Sequence, residues 1–323
     1  MRNHGPTQRR VRRAWRLAAL LSALALVAAA CGDDDDDEAG DEDGTTTTAA
    51  AADEAIAEFQ ESGVTIGFAD EDPFAFEDAE GNVTGEAPEV AAAVLERLDI
   101  EITDAQAVEF DGLIPGLNAA QYDVIAAGMF INPERAENVL FSNPDYCSGT
   151  AFAVPEGNPN DLNDFQDIVD NPDVTLGVLS GAVEEGFAED NGVPGGQLET
   201  LAEVADLFDA LETGRVDAVA LTPITVAEQT ATREGLEAAE QFIPEVDGLP
   251  APVCGGYGFN FDDQPLRDAF NEELAAMQDA GEILPIIEEF GFTEDMVADA
   301  AATTANEQAQ GAYDDLGDEP FGG

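Results

Sequence analysis

The sequence predicts an α/β protein of two lobes with a ligand cleft between them. Apolar strand-like runs alternate with amphipathic helices, which is typical of parallel sheets covered by helices. The alternation occurs twice along the chain of 323 residues, which is long enough to bury two modest cores. We expect lobe 1 to be built from residues 62–148 and 257–296, and lobe 2 from residues 149–256.

The first series supplies lobe 1. Residues 64–68 (VTIGF) and 124–126 (VIA) have the composition of buried strands. Between them, residues 113–120 predict one helix, and Pro88 begins another whose apolar positions recur at helical spacing: Val90, Ala91, Val94 and Leu98.

The second series supplies lobe 2, and the chain then returns to lobe 1. Residues 174–178 and 216–220 predict strands, and residues 183–190 and 201–211 predict helices. Residues 264–290 indicate two further helices separated near Gly281.

Both ends of the chain differ from the lobes. Six arginines precede an apolar run at residues 17–30, so residues 1–30 are interpreted as an export signal peptide, too short for a permanent membrane span. Cys31 follows a run of small residues, as in the lipobox of bacterial lipoproteins; the alternative is an ordinary signal with an incidental cysteine. We expect a lipidated Cys31, a disordered acidic linker over residues 31–61, and an acidic tail without assigned function at residues 297–323.

The charge excludes some partners and suggests a habitat. The chain has 11 arginines, no lysine and 70 acidic residues, and removal of the signal leaves five arginines and a net charge near −65. Such a surface excludes nucleic acid as a partner. Salt at about 1 M screens charge within roughly 3 Å, so the composition suggests a halophilic, saline setting, with a merely acidic exported protein as the alternative.

Five side chains follow the predicted strands where they end, and ligands of such sheets bind outside those ends. From sequence alone each residue has a structural alternative. The arginine could pair with Glu134 or Glu137, the aromatic rings could belong to the core, and the acid could be a solvated loop residue. The five are Glu71, Phe74, Phe110, Phe130 and Arg135.

Several motifs in order, GEAPEV, FDGLIPGL, AGMFINPER and FSNPDY, closely resemble the family 3 extracellular solute-binding proteins of ABC importers. The resemblance covers about residues 62–292 and is greatest to the branch that binds ectoine and hydroxyectoine. It implies a two-lobed, type II periplasmic-binding-protein-like fold that closes on a small zwitterion. It also implies delivery to an ABC permease and no enzymatic activity. The expected lipidation of Cys31 would tether the mature chain outside the cytoplasm, at the outer face of the membrane.

The resemblance also implies roles for particular residues. Arg135 would hold the ligand carboxylate, three rings (Phe74, Phe110, Phe130) would surround the ligand ring, and Glu71 would accept hydrogen bonds from its nitrogens. Backbone N–H groups of Ser180, Gly181 and Ala182 could complete the carboxylate site, because they begin a helix. Amino-acid binders of the family usually have an aspartate where this chain has Thr222, which disfavours a ligand with a free α-ammonium; alternatively, Thr222 only packs or caps a helix.

Cys147 and Cys254 remain once Cys31 is lipidated, and such a pair in an exported protein predicts a disulfide. No metal or cofactor is expected, because the only histidine, His4, lies in the signal. The alternatives to an ectoine binder are a binder of a polar amino acid or betaine, a dehydratase with Glu71 as its acid or base, and a sensor that presents the clamp to a receptor.

Overall fold

The computed structural model describes residues 43–246 and 248–314. Among these, the described residues up to Glu54 belong to one unit and those from Ala55 onward to another, compact unit. The first described element is the helix α1 (Asp43–Ser62), so the described part of the expected disordered linker, residues 43–61, is helical, while residues 31–42 lie outside the described residues. Alanine has the highest helix propensity, and this stretch is rich in it. Residues 1–30 and Cys31 lie outside the described residues.

Lobe 1 begins directly after α1 and contains most of its elements in one continuous stretch of chain. These are β1 (Val64–Phe68), β2 (Phe76–Glu77), β3 (Val83–Thr84), α2 (Glu86–Arg97), β4 (Ile102–Ala107), α3 (Leu113–Asn118), β5 (Val124–Phe130), α4 (Pro133–Ala136), β6 (Leu140–Phe141) and β7 (Tyr146–Cys147).

Lobe 2 follows. Its elements are β8 (Ala151–Pro155), α5 (Phe165–Asp170), β9 (Leu176–Leu179), α6 (Val183–Asp190), β10 (Leu198–Leu201), α7 (Val204–Glu212), β11 (Ala218–Leu221), α8 (Pro223–Thr232), β12 (Leu236–Ala238), β13 (Glu245–Val246) and β14 (Leu249–Pro250). The main sheet has the strand order β10-β9-β11-β8-β12, with β9 parallel to both β10 and β11.

The chain then returns to lobe 1 as β15 (Cys254–Phe259), α9 (Gln264–Asp279), α10 (Leu284–Ile287), α11 (Glu294–Ala301) and α12 (Ala305–Gln308). The lobe 1 sheet has the order β4-β1-β5-β15-β6, with β7 also paired to β15. Strands β4, β1 and β5 are parallel, so their carboxyl ends meet at one edge. The two sheets confirm the predicted two-lobed α/β fold. The expected lobe boundary at residue 257 falls inside β15.

The chain crosses between the lobes on two neighbouring segments. The backbone N–H of Ser148 on the first donates to the carbonyl oxygen of Val253 on the second at 2.9 Å. Cys147 and Cys254 lie opposite each other on β7 and β15 and form a disulfide. The bond therefore joins the two crossing segments where they leave lobe 1.

The described part of the expected acidic tail, residues 297–314, is folded and packs on lobe 1. Tyr313 is fully buried, its hydroxyl donates to the carbonyl oxygen of Val139 at 2.7 Å, and it accepts from the N–H of Phe141 at 3.1 Å. A buried aromatic ring with both hydroxyl functions satisfied fixes its segment against the core.

None of the helices in the described ranges is both long and apolar enough to span a bilayer.

Candidate functional site

A cavity lies between the two lobes, and it contains about 330 Å³ of space free of protein atoms, part of it open to solvent. Seven of the nine ligand-binding positions expected from the sequence line it, and Ser180 and Gly181 do not. The lining residues are Glu71, Phe74, Phe110, Gly128, Phe130, Arg135, Ala182, Val183, Glu184, Leu221 and Thr222.

Lobe 1 contributes its wall from the carboxyl ends of three neighbouring strands. Glu71 and Phe74 follow β1, Phe110 follows β4, and Phe130 is the last residue of β5. Arg135 lies five residues further on in the short helix α4, where the side chain of Asn132 accepts a hydrogen bond from the N–H of Arg135 at 2.8 Å. Parallel pairing thus brings together residues that are far apart in sequence.

Glu71 is buried at the lobe interface and reaches a hydroxyl of lobe 2. Its Oε1 accepts a hydrogen bond from Thr225 Oγ1 at 2.7 Å, and Thr225 Oγ1 lies 3.0 Å from Thr222 Oγ1. Burial raises the pKa of Glu71 from 4.5 to about 7, and the hydrogen bond from Thr225 opposes that shift. Glu71 is therefore not a solvated loop residue. The hydroxyl of Thr222 forms its hydrogen bond with that of Thr225, and the Thr222 side chain does not cap α8.

Three phenylalanines, Phe74, Phe110 and Phe130, are nearly buried and still line the cavity. The ring of Tyr146 supports two of them from behind, with centroids 5.2 Å from Phe74 and 5.9 Å from Phe130. Gly128 has φ +59°, and a Cβ there would clash with the ring of Phe74. The glycine therefore allows Phe74 to lie across β5 and face the cavity.

Arg135 differs from the other arginines of the described chain. Arg97, Arg215, Arg233 and Arg267 each form an ion pair with a carboxylate. Arg135 is only 9% exposed, and among the described residues it has hydrogen bonds from its guanidinium to carbonyl oxygens only, without an ion pair.

The two acceptors of Arg135 lie on different lobes. Its Nη1 donates to the carbonyl oxygen of Phe130 at 2.6 Å and its Nη2 to that of Gly181 in lobe 2 at 2.9 Å. The guanidinium carbon lies 5.4 Å from the centroid of the Phe110 ring. Burial lowers the pKa of Arg135 to about 10, so the group is still a cation at neutral pH. Neither Glu134 nor Glu137 forms an ion pair with it among the described residues. With five N–H donors available to a guanidinium, the site retains donors for an anion.

The turn before α6 differs from the expectation. The N–H of Ser180 donates to Leu201, that of Gly181 to the side chain of Glu185, and that of Ala182 to Leu179. These N–H groups are used inside lobe 2, and the turn presents the carbonyl of Gly181 to Arg135. Ser180 meets lobe 1 through its side chain, since its Oγ donates to Asp111 Oδ2 at 2.8 Å.

Four lining residues were not expected from the sequence: Gly128, Val183, Glu184 and Leu221. Glu184 matters most, because it is 3% exposed and its buried Oε1 has no hydrogen-bond partner among the described residues. Burial is the largest cause of its raised pKa of about 8. Glutamates are common in the first turn of a helix because the positive end of the helix dipole stabilises them. The position of Glu184 in the sequence therefore did not indicate a role in ligand binding.

A second, wider space of about 780 Å³ shares Glu71 and Phe110 with the first. Its other walls include Glu109 of lobe 1 and Glu203 of lobe 2. A ligand entering the inner cavity from this side passes carboxylates of both lobes, which attract a cationic group.

The model of the bacterial extracellular solute-binding proteins, family 3, matches residues 64–294. The probable amino-acid ABC transporter periplasmic-binding protein y4tE of Sinorhizobium fredii is 34% identical over 247 residues, covering 76% of this chain and 82% of its own length. The arginine-binding extracellular protein ArtP of Bacillus subtilis is 26% identical over 216 residues, covering 67% of this chain and 80% of its own.

Among solved structures, that of EhuB in complex with hydroxyectoine matches with a TM-score of 0.71 and 35% identity. The match covers 79% of this chain and 97% of the EhuB chain. The family match spans both lobes and every residue that lines the cavity. This chain belongs to the family 3 bacterial extracellular solute-binding proteins and is a solute-binding protein of an ABC importer for amino acids and similar small molecules.

Proposed function

We propose that this protein captures ectoine or hydroxyectoine by closure of its two lobes and delivers it to an ABC permease. The observation that carries the proposal is Arg135, a buried cation without a carboxylate partner among the described residues, at a cavity lined by three phenylalanines. A buried charge without a counterion is costly, so the site favours an anionic group beside Arg135. The likeness to EhuB, solved with hydroxyectoine, supports the same ligand class.

Ectoine fits this arrangement chemically. Its carboxylate suits the planar guanidinium of Arg135, which can donate two parallel hydrogen bonds. Its flat amidinium cation suits the faces of Phe74, Phe110 and Phe130, at roughly 0.5–2 kcal/mol for each well-placed ring in a dry site. Glu71 accepts hydrogen bonds from the ring nitrogens, and ionises when the cation arrives.

The second candidate is a polar amino acid or another zwitterion. The relatives include ArtP, an arginine-binding protein. Thr222 stands where amino-acid binders of the family have an aspartate, which disfavours a ligand with a free α-ammonium. Glu184, however, brings a second carboxyl group to the cavity that could contact such an ammonium. Glycine betaine is less suitable than either, because it has no N–H group to donate to Glu71.

Calorimetric titration in about 1 M KCl, where the surface charge is screened, separates these ligands. The ligands to compare are ectoine, hydroxyectoine, arginine, glutamine and glycine betaine. We expect ectoine or hydroxyectoine to bind at least about a hundredfold more tightly than the other three, which corresponds to about 2.7 kcal/mol. Tight binding of arginine or glutamine without binding of ectoine would reject the proposed ligand.

Three further parts of the proposal concern the cell. We propose that Cys31 is lipidated and holds the protein at the outer face of the membrane, that uptake protects against osmotic stress, and that the protein is not an enzyme. Cys31→Ala should move the protein from the membrane fraction to the medium. Retention of that variant at the membrane would refute the anchor, and turnover of a cyclic carboxylic acid by the purified protein would refute a purely binding role.

A further inference from the structure

We propose that Glu184 is a further ligand-binding residue, whose protonated carboxyl donates a hydrogen bond to the same ligand carboxylate that Arg135 holds. This inference rests on the proposed function, because it takes a zwitterion as the ligand. It assigns lobe 2 a side chain that recognises the anionic end, in place of the backbone N–H groups of the turn before α6.

The position of Glu184 is the first ground. The residue lies in the first turn of α6, lines the cavity and is 3% exposed. Its Oε1 is buried without a hydrogen-bond partner among the described residues. A buried polar atom without a partner costs about 1–3 kcal/mol, so a group at the cavity wall that lacks one is a natural contact for a ligand.

The second ground is the set of charges that face it. Burial and the charge of Glu71 raise the pKa of Glu184, whereas a hydrogen bond from its own backbone N–H and the charge of Arg135 lower it. The buried Tyr146 of β7 interacts with Glu184 as well. The guanidinium of Arg135 donates to the carbonyl oxygen of Gly181, three residues before Glu184, and both side chains line the cavity. Glu184 is thus on the Arg135 side of the cavity, where the ligand carboxylate would lie.

Charge balance decides between a donor and an acceptor. Arg135 carries one positive charge, the zwitterion is neutral overall, and Glu71 becomes negative when it meets the ligand cation. Those charges sum to zero, whereas ionised Glu184 would leave one net negative charge in a closed cavity and repel the carboxylate. A neutral carboxyl has one O–H to donate, which suits a carboxylate acceptor. Burial supports that state, since the pKa of Glu184 is raised to about 8.

The test measures ectoine affinity by calorimetry from about pH 6.5 to 9 for four proteins: wild type, Glu184→Gln, Glu184→Leu and Glu189→Gln. Glu189 lies on the same helix and is exposed, so it is the matched control. The range stops at pH 9 because Arg135 loses its proton near 10. The second measurement is the carboxyl ¹³C NMR titration of the ligand-free protein, in which the Glu184 signal is the one missing from Glu184→Gln.

We expect the wild-type affinity to fall above about pH 8, approaching tenfold per pH unit as Glu184 ionises. Glu184→Gln keeps an N–H donor, so it should lose less than about fivefold at pH 7 and show no such fall. Glu184→Leu should lose about ten- to a hundredfold at pH 7, and the Glu189 control should follow the wild type. The NMR titration should show Glu184 protonated at pH 7.

Three results would overturn the inference: a Glu184 carboxyl ionised at pH 7, wild-type affinity in Glu184→Leu, or the same pH dependence in Glu184→Gln as in wild type. The NMR titration needs no ligand, so it judges Glu184 independently of ectoine. Failure of the wild type to bind ectoine rejects the proposed ligand instead, and the same variants are then titrated with the amino acid that does bind.

Discussion

Replacement of Arg135 by glutamine removes the one buried cation of the cavity and keeps an N–H donor. The wild-type guanidinium donates hydrogen bonds to the carbonyl oxygens of Phe130 and Gly181, and among the described residues it forms no ion pair with a carboxylate. Loss of those bonds costs about 1–3 kcal/mol, and relief from burying the charge offsets part of it. The free energy of unfolding should therefore change by less than about 2 kcal/mol.

Ligand binding should respond far more strongly to Arg135→Gln than folding does. Truncation of one partner of a buried, hydrogen-bonded charge pair costs about 2–5 kcal/mol, so ectoine affinity should fall from about 30-fold to several thousandfold. The assay combines calorimetric titration with a urea unfolding curve at the same salt concentration. Arg97→Gln is the control, because Arg97 pairs with Glu273 and Glu282 on the surface. This variant should bind ectoine like the wild type. A loss below about fivefold in Arg135→Gln would refute the assignment of the ligand carboxylate to Arg135.

The remaining predictions concern Glu71, Gly128 and the disulfide. Because burial raises the pKa of Glu71 from 4.5 to about 7, its folded form holds a proton that the unfolded chain loses, and stability is lost as pH rises through that window. In urea unfolding, the stability of Glu71→Gln relative to wild type should therefore rise by up to about 3 kcal/mol between pH 5 and 8, and the variant should bind ectoine more weakly. A stability difference that stays constant across that range would contradict the raised pKa of Glu71. Gly128→Ala meets both a positive φ and the ring of Phe74, so it should lose about 1–3 kcal/mol of stability and some ectoine affinity, and wild-type behaviour in both would show that Phe74 is not held by this contact. The Cys147→Ser, Cys254→Ser double variant opens a loop with a sequence separation of 107 and should lose about 2–5 kcal/mol in the same unfolding assay, where an unchanged curve would refute a role of the disulfide in stability.

The lobes could be predicted from sequence because their strands are short, apolar and bounded by helical patterns. The strand expected at residues 64–68 has the bounds Val64–Phe68 in the structure, and the helix expected at residues 183–190 is α6. Strand β15 was missed because its residues, CGGYGF, have three glycines, which are poor strand formers. Its antiparallel pairing with β5 and the packing of Tyr257 decide the conformation, and neither is visible in local composition.

The two ends of the chain show the same limit. Acidic and alanine-rich composition suggested disorder over residues 31–61, although α1 occupies residues 43–62. The acidic composition of the tail gave no sign that it packs on lobe 1. One aromatic residue, Tyr313, is nonetheless fully buried there, and its hydroxyl forms two hydrogen bonds with lobe 1. Long-range contacts of this kind depend on the folded surface of lobe 1.

The cavity was more predictable on the lobe 1 side than on the lobe 2 side. Strand ends and motifs placed Glu71, Phe74, Phe110, Phe130 and Arg135, and all of them line the cavity. The turn at Ser180 and Gly181 could not be judged from sequence, because the direction of its N–H groups depends on partners such as Leu201 and Glu185. Glu184 needed the fold as well, since only packing separates it from the exposed acids of the same helix.

A crystal structure of the protein with ectoine tests the central claim most directly. It should show both carboxylate oxygen atoms of ectoine within about 2.7–3.2 Å of the Arg135 guanidinium nitrogen atoms, and the ring between Phe74, Phe110 and Phe130. Ectoine bound only in the wider space near Glu109 and Glu203, or with its carboxylate turned away from Arg135, would contradict the claim.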